Sequence, residues 1–132
     1  MVANVVSSTH TIEQRAELIN KRITKIAEEN GPCHVLAYSF AGVDTRCAIS
    51  LQGLNKSVLS LTTLVTPHHG LTLMDTALGK PDYYGSLAHT EKALQGLGMS
   101  VRNATEFASR NMKAFNEVAV DDPNIKYASF GA

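Results

Sequence analysis

The sequence predicts an α/β domain with a mostly parallel sheet and helices on both faces. Three observations lead there. Stretches with helical periodicity alternate with β-prone runs along the chain, the order that gives parallel strands joined by right-handed crossovers. The internal β-prone runs are short and apolar without strict alternation, as in strands covered on both sides. The length, 132 residues, fits one core, so residues 1–132 are read as a single domain.

Val2 to Val6 is a β-prone run broken by Ser7, Ser8 and Thr9. From Thr11 to Glu29, the residues Ile12, Ala16, Ile19, Ile23 and Ile26 recur at intervals of three or four and predict one apolar helix face. Thr11 with Gln14 has the spacing of a capping box, and Gly31-Pro32 supplies the stop. Cys33 to Tyr38 predicts a central strand. The following segment, free of proline as far as Leu51 and closed by Gly53, predicts a helix. Val58 to Val65 predicts another buried strand, ended by Thr66-Pro67-His68-His69-Gly70. Helices are expected near 71–78, 86–95 and 104–116, separated by glycines 79, 85, 96 and 98, and a turn at Asp121 to Asn124 leads into a last strand over 125–130.

Twelve acidic and twelve basic residues cancel, so no basic excess draws the chain to nucleic acid, which is excluded as a partner. No apolar run approaches the roughly 18 to 20 residues of a membrane-spanning helix. No basic-then-apolar signal pattern is seen at the N-terminus. Cys33 and Cys47 form neither a CxxC pair nor a disulfide framework and are expected to be reduced, buried thiols. No glycine-rich phosphate loop follows the first strand, which argues against a dinucleotide or flavin protein. No metal site and no cofactor are expected.

The chemistry concentrates at Ala37-Tyr38-Ser39-Phe40-Ala41-Gly42, where a predicted strand runs into a predicted helix. A serine at such a turn has its hydroxyl pushed out above the sheet, and its neighbours must be small because the backbones approach closely. Both glycine positions of the G-x-S-x-G pattern are alanine in this chain. Ser39 is the candidate nucleophile. Phe40 is the candidate oxyanion donor through its backbone amide, at the positive end of the following helix.

Two longer runs extend the motif. The segment from His34 to Arg46 resembles the "HSMGGLDAR"-like elbow of triacylglycerol lipases of fungal and bacterial type, above all the fungal mitochondrial ones. The segment from Leu59 to Gly70 resembles their "TTIGTPHRG"-like strand end. Thr11 to Ala16, Phe115-Asn116 and Asp122 to Tyr127 also look familial. Ala41 in place of glycine and His69 in place of arginine are departures.

The resemblance implies a partial α/β-hydrolase fold, with the N-terminal strands and the C-terminal segment carrying the acid and histidine expected outside this chain. It implies hydrolysis of a carboxylic ester, a triacylglycerol, through an acyl-enzyme on Ser39 in the complete parent, with little or no turnover by this chain alone. A lipid or small ester is the implied substrate, contact with a membrane or lipid-droplet surface fits it, and an intracellular, mitochondrial setting follows from the fungal likeness. Tyr38 and His68 are candidate substrate contacts, although the family pattern gives His68 a loop position and not that of the base. Asp44 and Arg46 are expected to make local contacts, and His89 is expected to be solvated or lid-like. The alternative is a non-catalytic lipase-like binding or regulatory module. Either way, open sheet edges favour self-association.

Overall fold

The computed structural model describes residues 10–72, 74–75 and 105–131. The expected strand over 2–6, the helix over 86–95 and most of the one over 71–78 lie outside them. In chain order the described elements are α1 (Ile12–Asn30), β1 (Cys33–Tyr38), α2 (Ala41–Leu51), a 3₁₀ turn at Leu54–Lys56, β2 (Val58–Leu64), α3 (Ser109–Val118) and β3 (Lys126–Phe130). The three strands pair in parallel in the order β1-β2-β3. The α/β class and the parallel sheet are therefore those the sequence predicts.

Helix α1 starts where the capping box places it. Gln14 N–H donates to Thr11 Oγ1 (3.3 Å), and Thr11 N–H donates to Gln14 Oε1 (2.9 Å). It ends at Gly31, whose φ of 83° is cheap only for glycine. Ile12, Ala16, Ile19 and Ile23 are buried and join Val43, Cys47, Ala48 and Ile49 of α2 in one core.

Side chains of β1 alternate. Val35 and Ala37 face that core together with Leu61 and Thr63 of β2 and Tyr127 of β3. His34, Leu36 and Tyr38 point to the opposite face, where Leu36 and Tyr38 are 67% and 68% exposed. β1 was expected to be covered on both sides; in this structure one side is open. The run lacks alternation because its open side also carries apolar Leu36 and Tyr38.

Other differences are local. The helix expected near 104–116 is interrupted: Thr105 and Glu106 are helical, the chain turns at Phe107 and Ala108, where the Phe107 carbonyl accepts from Leu71 N–H (2.7 Å), and α3 begins at Ser109. Cys47 is buried, and burial pushes its thiol up to about 11, whereas Cys33 is only half-buried; both are free. No described helix is long and apolar enough to cross a membrane.

Candidate active site

Strand β1 ends at Tyr38, α2 begins at Ala41, and Ser39 makes the turn between them with a φ of 56°. A left-handed serine costs on the order of 1–3 kcal/mol and persists only where its surroundings hold it. Here both sides of its backbone are held. Ser39 N–H donates to Leu64 O (2.8 Å), and Ser39 O accepts from Thr66 Oγ1 (2.7 Å) and from Gly42 N–H (3.1 Å). The elbow thus leans on the end of β2.

The glycine that this geometry requires is Gly42, one position beyond the G-x-S-x-G pattern. A Cβ there would lie 2.7 Å from Thr66 Cγ2 and 3.0 Å from Thr63 Cγ2. Ala41, the first residue of α2, is accommodated in the helix, so alanine at that point is compatible with the turn. Phe40 N–H makes no hydrogen bond among the described residues and lies at the N-terminus of α2. Its ring packs against Phe107 with centroids 4.2 Å apart.

Behind the elbow, Arg15 of α1 grips Asp44 of α2 through two hydrogen bonds, Nε to Oδ2 (2.8 Å) and Nη2 to Oδ1 (2.9 Å). Glu106 approaches the same guanidinium at 3.5 Å and also accepts from Ile12 N–H (3.2 Å). Burial pushes the Asp44 carboxyl up to about 6, against the downward pull of Arg15. Asp44 and Arg46 were expected to make local contacts, but their partners are distant in sequence, since Arg46 reaches Asp121 (3.2 Å), Asn116 (2.9 Å) and the Ala119 carbonyl (3.1 Å). Two positions on a helix lie on different sides of it, so the two side chains diverge. Arg15 had a sequence signal: it occupies an i+3 slot on the apolar face that begins at Ile12.

His68 is half-buried on the covered face. Arg46 donates to its Nδ1 (3.4 Å), which leaves Nε2–H to donate to Thr63 Oγ1 (2.9 Å). Burial, and then the Arg46 charge, hold the imidazole below its ordinary pKa. Asp75 is bonded to Ser109 N–H (2.8 Å) and Ser109 Oγ (2.5 Å), so it does not orient His68. Ser39 Oγ has no hydrogen-bond partner among the described residues. Tyr38 stands on the open face beside the elbow. A cavity of about 810 Å³ on the covered side is bounded by Arg46, Thr63, Thr66, His68, Asn116 and Tyr127. No cluster of three metal-ligating side chains occurs among the described residues, and His89 lies outside them.

Sequence reasoning missed Val65. Its φ is 51°, and with Ser39 it makes the only pair of left-handed residues other than glycine among those described. Its signal was available, since Val65 stands where the "TTIGTPHRG"-like pattern has glycine.

No protein-family model matches the chain. Over 138 aligned residues it is 28% identical to triacylglycerol lipase 2 of Saccharomyces cerevisiae, which covers 99% of this chain and 40% of the yeast protein. The crystal structure of the mature form of a Bacillus licheniformis lipase superposes with a TM-score of 0.69 and 25% identity, over 90% of this chain and 47% of that one. Its propeptide form gives 0.70 and 23%, over 90% and 26%. The chain thus spans less than half the length of each.

Proposed function

On the premise that this chain carries part of a lipase-like α/β-hydrolase, we propose that it supplies the nucleophile of a carboxylic ester hydrolase, Ser39, and one oxyanion donor, the Phe40 amide. The observation that carries this reading is the left-handed Ser39 at the junction of β1 and α2, followed by an amide with no partner among the described residues. Ser39 Oγ attacks the ester carbonyl carbon while its proton passes to a base. The tetrahedral oxyanion accepts from Phe40 N–H, and the leaving alcohol takes the proton. Water then releases the acid from the acyl-serine by the same steps.

The base and its orienting carboxylate belong, in this reading, to a part of the complete protein after β3, in the chain order Ser, acid, His. His68 is spent on Thr63 and Arg46, and we assign it to the loop scaffold more than to substrate. Tyr38, exposed beside Ser39, is placed to touch an acyl or alcohol group. The substrate class is a lipid or small carboxylic ester, by analogy with the lipases above. Ser39→Ala in the full-length protein is expected to abolish p-nitrophenyl ester hydrolysis, and unchanged hydrolysis rejects the assignment.

The open face supports a second reading, a non-catalytic lipase-like module that pairs through its sheet. Leu36, Tyr38 and Phe130 are more than 60% exposed there. A chain without esterase activity that forms dimers in sedimentation would favour this reading, and an active monomer would remove it.

A further inference from the structure

The left-handed residues Ser39 and Val65 immediately follow the last paired residues of their strands, Tyr38 and Leu64. A β-branched side chain is a true outlier in that conformation, and Val65 is 49% exposed, so burial of its own side chain does not account for it. Backbone contacts do. Val65 N–H donates to Phe130 O (2.8 Å), the Thr66 carbonyl accepts from His68 N–H (2.9 Å), and between them the chain turns so that the Thr66 side chain reaches the first turn of α2. The space that it enters is the one left by the missing side chain of Gly42.

There Thr66 Oγ1 donates to the carbonyl of Ser39 at 2.7 Å. That carbonyl and the Phe40 N–H are opposite ends of a single planar trans peptide. Holding the oxygen fixes the plane, and therefore the direction in which the N–H points. A carbonyl that accepts hydrogen bonds also polarises its own N–H into a stronger donor. We propose that Thr66 is a positioning residue of the oxyanion hole, gripping the Ser39–Phe40 peptide from behind so that the Phe40 amide faces the developing oxyanion. The inference rests on the reading of Ser39 as nucleophile, and goes beyond it by naming what aims the donor.

The test compares Thr66→Val, which keeps the shape and removes the hydroxyl, with Thr66→Ser, which keeps the hydroxyl, in ester hydrolysis by the full-length protein. Misaimed donors act on the transition state, so Thr66→Val is expected to lower kcat by on the order of tenfold with KM little changed, and Thr66→Ser to recover most of it. A Thr66→Val enzyme with wild-type kcat overturns the proposal. So does a loss that Thr66→Ser shares, or one that tracks melting temperature alone. If turnover is absent, or indifferent to Ser39→Ala, the nucleophile reading has failed, and the grip itself is judged by NMR of the Phe40 and Gly42 amides. Resonances that move in Thr66→Val and return in Thr66→Ser support it; resonances that stay in place in both overturn it.

Discussion

The two faces of the sheet solve different problems. On the covered face Val35, Leu61 and Tyr127 lie side by side in register and pack under the helices, with Leu61 fully buried. On the open face the corresponding row is Leu36, Thr62 and Ala128, and Leu36 is two-thirds exposed. The elbow stands at the end of both, but its supports, Gly42, Thr66 and the Arg15–Asp44 pair, all belong to the covered side. The difference teaches that one side of the sheet holds the candidate site in shape, while the other is free to be covered by something else.

The sharpest way to break that comparison is at Arg15. Removing one partner of a buried ion pair leaves the other uncompensated, so Arg15→Ala is expected to cost about 3–5 kcal/mol in chemical denaturation. A double change to apolar residues, Arg15→Met with Asp44→Leu, should recover much of that loss. A cost below about 1 kcal/mol for the single variant would mean that the pair contributes little. Next, Leu61→Ala on the covered face should cost about 2–5 kcal/mol. Its counterpart on the open face, Leu36→Ala, should stay within about 0.5 kcal/mol. Equal costs would erase the distinction between the faces.

Gly42→Ala tests the elbow's support. The added methyl must displace Thr66, and overpacking of this kind costs about 1–3 kcal/mol, visible as a lower midpoint in a denaturant titration. The smallest effect is expected at His68. Its pKa is depressed, so the unfolded chain takes up a proton that the native state refuses, and its contribution is lost as the pH falls below the ordinary histidine value. Between about pH 7.5 and about pH 5 the wild type should therefore lose melting temperature relative to His68→Gln, a comparison in which the opposite contribution of the raised Asp44 carboxyl is common to both proteins.

Much of this was legible in the sequence. α1 could be read from its isoleucine period and capping box, and β1 and α2 from an apolar run meeting a proline-free segment. These signals are local, and each belongs to a few neighbouring residues. The open face of β1 was not legible, because an apolar run has the same composition whether one or both of its sides are covered. Nor was the start of α3 at Ser109, which is set by Asp75 from 34 positions away. The same holds for the site. Ser39 and Phe40 announce themselves by position, whereas Arg15, Thr66 and Val65 matter through contacts across the fold, and only the charge on an apolar helix face and a valine in a glycine's place hinted at them.

The central claim is that Ser39 is a nucleophile, and covalent trapping tests it most directly. The full-length protein would be treated with a fluorophosphonate probe, digested, and the adduct located by mass spectrometry. An adduct on Ser39, absent after prior denaturation, is the expected result. Labelling at another serine, or hydrolysis of an ester substrate by a protein whose Ser39 stays unmodified throughout, would contradict it.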